Sequence, residues 1–231
     1  MAPGLPLYVS VLFIVVTLIT VYFFYRAAHQ SDITFIVLVS WLMLQAVLSL
    51  KGFYTETNTI PPRFALLAAP AILFIILLFI TKKGRHYIDG LDGQQLTWLH
   101  TVRVPVEIIL LALSGYKLVP ELMTLQGRNF DIFSGLTAPL IAWFGYEKKQ
   151  LPRAFMLVWN FICLALVLNV VIHGLLSAPS RFQQLAFDQP NVAIMYFPFA
   201  WLPACIVPIV IFSHLVCIRQ LLNSGRQQVK E

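Results

Sequence analysis

His100, Arg103 and Glu107 stand in one apolar run, Thr97-Trp-Leu-His100-Thr-Val-Arg103-Val-Pro-Val-Glu107-Ile-Ile-Leu-Leu. On a helix these three fall within about 60° of one another, so an imidazole, a guanidinium and a carboxylate share a face. Ser114, two turns further on, falls on the same side. Such a set can relay a proton, or hold an anion on the guanidinium with the carboxylate keeping it in place. A charge near the bilayer core costs at least about 2.5–3.5 kcal/mol, so its presence needs a reason. Two reasons are available: a solute or proton site, or an internal Arg103–Glu107 pair at i,i+4 that fixes helix packing.

Other polar residues in apolar surroundings extend the set. His214 lies at a depth similar to that of His100, each near the same end of its run. Facing imidazoles can ligate haem iron axially, which makes His100 and His214 candidate ligands for haem b. Asn169 and His173 are at i,i+4 on another run, whereas Asn160 faces the opposite way. Polar residues of this kind commonly glue helices, by about 0.6 kcal/mol per bond on average. The segments Gln126-Gly-Arg128-Asn129-Phe-Asp131 and Arg181 to Asn191 interleave polar groups with aromatics. With Asn169 and His173, their Arg128, Asn129, Asp131 and Asp188 suit an outward vestibule; they suit a membrane-interface belt equally well. Asp131 also reads as a helix N-cap, and Asp89-Gly-Leu-Asp92-Gly93 as turns whose aspartates bond their own backbone.

The elements that must position these residues are read from composition. Of 231 residues, 59% are hydrophobic and 11% charged. A soluble domain carries about 25% charged residues, so this chain belongs in a bilayer. The net charge of +6 sits at the ends of apolar runs and is no nucleic-acid signature. Cys163, Cys205 and Cys217 show no CxxC or metal-ligand spacing and read as packing residues. HExxH, GxSxG, the P-loop and GxGxxG are all missing. The last run has no lysine for a retinal Schiff base, and no array of evenly spaced arginines suggests a voltage sensor.

Apolar runs at about 6–25, 33–50, 64–81, 95–118, 132–146, 154–176 and 195–218 predict an all-α transmembrane bundle of seven spans, filling residues 1–231 as one membrane domain. The fifth run is short and broken by Pro139. In the seventh, Pro198, Pro203 and Pro208 predict a bend or an interfacial lead-in. No basic stretch precedes the first run, which reads as a retained helix. With seven spans, one side carries Arg26, Lys82, Lys83, Arg85, Lys148, Lys149, Arg153, Arg219, Arg226 and Lys230. The other carries Lys51, Arg63, Lys117, Arg128 and Arg181. The positive-inside rule then puts the N-terminus outside and the C-terminus in the cytoplasm, in a bacterial-type inner membrane. Three spans on each side of a central fourth resemble the plan of SWEET-type sugar transporters in topology alone, since the halves show no self-similarity.

These features predict transport of a small solute, or proton-coupled permeation, through the polar face of the fourth span. A membrane scaffold or assembly subunit is the non-catalytic alternative, and a haem or quinone redox subunit the third. The expected partners are the lipid bilayer, a small solute, and a membrane protein or a second copy of the chain, with no nucleic acid.

Overall fold

The computed structural model describes the backbone of Ala2 and of residues 4–228, with side chains as far as Asn223. Helix accounts for 72% of the structure, and no strand occurs among the described residues. The helices are α1 (Leu7–Ala27), α2 (Asp32–Leu50), α3 (Ala65–Ile80), α4 (Lys82–Asp89) and α5 (Gly93–Leu99), followed by α6 (Arg103–Gly115), α7 (Ile132–Ile141), α8 (Arg153–Leu176) and α9 (Val207–Gln228). A 3-10 turn, His100–Val102, joins α5 to α6, while π-helical turns continue α7 through Glu147 and lead into α9 from Leu202.

Five helical segments are long and apolar enough to cross a bilayer: Leu7–Ala27, Asp32–Leu50, Gly93–Gly115, Arg153–Leu176 and Leu202–Asn223. The pair α3 and α4 makes a sixth if counted together, although it bends by 93°. The bulk of the sequence-predicted spans is therefore present as helix, but seven full-length spans are not. Helix α7 with its π-turn rises only about 24 Å at 1.5 Å per residue, against a hydrocarbon core of about 30 Å. The last segment starts at Leu202 rather than Met195. Pro198 lacks the N–H that a regular helix needs, and Pro203 falls in the first turn of the last segment, where a proline is tolerated, so residues before Leu202 form a 3-10 turn (Ala193–Met195) and irregular backbone.

Local chemistry sets the boundaries. The Ser31 hydroxyl accepts from the Thr34 N–H at 3.3 Å and starts α2. Asp92 accepts from the N–H groups of Gln94 and Gln95 at 2.8 and 3.1 Å and starts α5, the turn role expected of that aspartate. Thr81 breaks α3 with an extended backbone, and its hydroxyl caps α4 at Gly84. The elbow requires glycine there, because a Cβ on Gly84 would lie 2.3 Å from the Leu78 carbonyl oxygen.

Inter-helix contacts sort into two ends. At one, the Asp92 N–H donates to Ala27 O, Gln94 to Glu147, Arg153 to Leu222 O, and Arg219 to Asp89. At the other, Val192 N–H donates to Leu118 O, Gln189 to Val119 O, Asn169 to Arg128 O, and Asn191 to Gly174 O. Between the ends, the segments Gly93–Gly115 and Leu202–Asn223 form the centre, each with 61% of its most apolar window buried, against 22% for α2. Lipid tails are as apolar as leucine, so close packing rather than water exclusion must hold such helices together. Small residues permit it. Gly135 of α7 meets α6 so closely that a Cβ would lie 2.8 Å from Val104 Cγ2, and Ala138 is wholly buried. Aromatic pairs fill the seam between α1 and the last segment (Phe24–Phe212) and its lead-in (Phe13–Phe199).

Candidate functional site

Arg103 is the first residue of α6, and its guanidinium reaches three other parts of the bundle. Its Nε donates to Asp131 Oδ2 at 2.6 Å, and Nη2 donates to Asp131 Oδ1, making a fork-to-fork pair just ahead of α7. Nη2 also donates to the Cys163 carbonyl of α8 at 3.0 Å. Nη1 lies 2.9 Å from His214 Nε2 of α9. A guanidinium has no acceptor, so His214 Nε2 must accept. His214 is therefore neutral with its proton on Nδ1, which donates to Asn160 Oδ1 at 2.9 Å. The Asn160 amide in turn donates to Met156 O. One arginine thus ties α6, α7, α8 and α9 together at a site where Arg103 and Asp131 are almost fully buried.

Glu107, one turn on along α6, does not pair with Arg103. Its two carboxyl oxygens each receive the Asn129 Nδ2 at 2.7 Å, and that amide also reaches Met123 O. Asn129 Oδ1 accepts from the Asp131 N–H at 2.9 Å, so one side chain bonds both the Glu107 carboxyl and the Asp131 backbone. The i,i+4 pair expected from spacing is replaced by two partners distant in sequence, because the segment before α7 brings Asn129 and Asp131 inward. Asp131 does not cap α7 with its side chain; both its oxygens are taken by Arg103.

His100 completes the cluster. Its ring stacks on that of His214, with centroids 3.8 Å apart and planes 11° from parallel, and Trp159 lies against both. His100 is wholly buried, and neither ring nitrogen has a hydrogen-bond partner. The two histidines therefore do adjoin, but not as axial haem ligands. Stacked faces at this separation leave no room for a porphyrin between them, and both His214 nitrogens are already bonded. Among the described residues no group of three or more His, Cys, Asp or Glu is placed to hold a metal ion.

The remaining sequence candidates lie elsewhere. Ser114 is at the far end of α6, where its carbonyl and hydroxyl face Gln189 at 3.0 and 3.4 Å. Asn169 donates to Arg128 O and so clasps α8 to the loop ahead of α7, while His173 Nδ1 donates to Asn169 O within α8. The Arg128 and Asp188 side chains are exposed. Of the six vestibule candidates, Asn129 and Asp131 thus join the buried cluster and the other four stay outside it. Asn160, read from sequence as facing away from Asn169 and His173, does so by facing His214.

A family model described as "Domain of unknown function (DUF8737)" matches residues 60–222, a stretch that contains every member of the cluster. No curated protein and no solved structure matches the chain.

Proposed function

The chain belongs to the DUF8737 family of unknown function, and we propose that it is a membrane transporter that couples a small solute to protons through the cluster around Arg103. One observation carries this reading: His100 is buried with both ring nitrogens bare while the groups beside it are bonded. A buried imidazole without a hydrogen-bond partner is costly, and a second state in which a proton, water or solute reaches it would explain its retention. Glu107 is the carboxyl without a cation in bonding distance, and it is the group that would take and release the proton. Hydrogen bonds connect Glu107 to Asn129, Asn129 to the Asp131 backbone, and the Asp131 carboxyl through Arg103 to His214, on whose ring His100 is stacked; the proton would reach His100 only in that second state.

In this reading the chain passes the membrane seven times in a bacterial-type inner membrane, with the N-terminus outside and the C-terminus in the cytoplasm. Support comes from the end-to-end sorting of the contacts: the loops after α1, α4 and the α7 π-turn meet one another and the last helix at the lysine-rich end. The positive-inside rule makes that end cytoplasmic. The short α7, which exposes Phe133, Leu136 and Leu140 on one face, would be accommodated by local thinning of the bilayer.

The test is proton entry into proteoliposomes loaded with a pH-sensitive dye, under an imposed proton gradient, with and without a small-molecule filtrate of cell extract outside. Entry above that of protein-free vesicles, lost in Glu107→Gln and His100→Ala, is the expected result. Equal entry in protein and protein-free vesicles under both conditions would contradict it. The second reading, a structural staple in a scaffold or assembly subunit with a membrane-protein partner, is favoured by the four-helix reach of Arg103. It predicts that the same variants change melting temperature and nothing else.

A further inference from the structure

A second feature lies on the opposite side of the bundle. Helices α2 and α3 both lean on the last segment without packing along each other, and a cavity of about 690 Å³ opens between them. That is within the range of about 300–1,000 Å³ for sites that hold a discrete small molecule. Its floor is made of small or flat residues, Ala204, Cys205 and Pro208, and Pro70 of α3 is in its wall. From Thr34 to Leu44, both in the lining, α2 rises about 15 Å, half of the roughly 30 Å hydrocarbon core. The cavity is one leaflet deep.

The two ends of this cavity differ. At the lysine-rich end the Thr34 and Tyr87 hydroxyls sit 3.1 Å apart, and both residues line the space. Tyr87 belongs to α4, which leaves α3 at 93° and so lies across the end of the groove. The rest of α4 exposes Lys82, Lys83, Arg85 and His86. Asp89 on the same helix is bonded to Arg219, Asp92 just beyond it caps α5, and Asp32 is the first residue of α2. Cationic side chains at the headgroup level above a chain-shaped apolar slot are complementary to one class of molecule.

We propose that the α2–α3 groove is a binding site for an anionic phospholipid of the leaflet at the lysine-rich end. One acyl chain fills the slot over Ala204 and Pro208, the Thr34 and Tyr87 hydroxyls meet the ester region, and Lys83, one turn before Tyr87 on the same face of α4, holds the phosphate, with Lys82 and Arg85 adding positive potential at that end. The elbow at Gly84 is what brings the basic helix over the slot, so the site depends on that bend.

Trp41 lines the groove and serves as the reporter. The full-length protein is reconstituted in phosphatidylcholine vesicles carrying equal fractions of brominated phosphatidylglycerol or brominated phosphatidylcholine. The Trp41 contribution is taken as the difference between the wild type and Trp41→Phe. Quenching by the anionic lipid should be stronger, with an apparent preference of about threefold or more that salt weakens. The triple variant Lys82→Gln/Lys83→Gln/Arg85→Gln should lose the preference but keep quenching, and Ala71→Phe, which narrows the slot, should reduce quenching by both lipids. Equal quenching by the two lipids, untouched by the triple variant, would mean ordinary boundary lipid and overturn the proposal. So would absence of Trp41 quenching by either.

Discussion

Around Arg103, four helices bring a guanidinium, two carboxyl groups, two imidazoles and two amides into contact, nearly all of them bonded to one another. Between α2 and α3, a space of about 690 Å³ is lined almost wholly by hydrocarbon, with the Thr34 and Tyr87 hydroxyls together at one end and Ser40 further along α2. The first region is specified by directional bonds and tolerates little change. The second is shaped by what is left out, and its walls face lipid on the other side. The difference teaches where a membrane bundle concentrates its specificity: polar contacts in a dry interior fix geometry, while apolar faces against lipid remain nearly free to vary.

The largest effect should come from breaking the charge pair. Arg103→Ala leaves Asp131 buried without its cation and should cost about 3–5 kcal/mol, seen as a large drop in melting temperature and yield in detergent. The double variant Arg103→Met/Asp131→Leu removes both charges, and its loss should be clearly smaller than that of either single change. Next in size is overpacking at the helix crossing. Gly135→Leu forces a side chain into Val104 and should destabilise by about 1–3 kcal/mol in the same melting assay.

Glu107→Gln is smaller still in stability, under about 1 kcal/mol, because the amide keeps an oxygen for Asn129 to bond. Its proton entry in proteoliposomes should nevertheless fall to the protein-free level, which separates a relay from a staple. On the lipid-facing side, Ile36→Ala should stay within about 0.5 kcal/mol, so an effect as large as that at Gly135 would break the contrast between the two regions.

The smallest effect is expected at the exposed Arg219–Asp89 pair. Arg219 holds the Asp89 carboxyl below its ordinary value by hydrogen bonding and charge. The pair's contribution is then present above about pH 4, the unfolded aspartate range, and is lost as pH falls through the lower folded value. Both side chains are partly exposed, so solvent screening should keep Asp89→Asn to a few tenths of a kcal/mol, measurable as a slight change in the acid limb of the melting-temperature profile.

How far this was readable from the sequence depends on the range of the interaction. Helix-forming runs, the Asp92 turn that bonds its own backbone, and the shared face of His100, Arg103 and Glu107 are local, and short-range pattern finds them. The partner of Arg103 is not local. Asp131 lies 28 residues away in a segment whose aromatic and polar mixture reads as an outer loop, and nothing in its spacing announces that it turns inward. The matching signal was arithmetic: a buried guanidinium needs an acceptor, and Glu107 was merely the nearest in sequence. The stacking of His100 on His214 joins residues 114 positions apart and requires helix order, which one sequence does not contain. The 93° elbow was missed for a different reason. Its cause is a backbone contact at Gly84, and an apolar run followed by charges looks the same whether the chain turns or stops.

The central claim is that the Arg103 cluster changes protonation within the folded bundle. Infrared difference spectra of the reconstituted protein, recorded between pH values at which helix content is constant, test it most directly. The account predicts a carboxyl C=O band that comes and goes with pH and is missing from Glu107→Gln. No pH-dependent carboxyl band assignable to Glu107, over the whole range in which the helices persist, would contradict the account and leave the cluster as a staple.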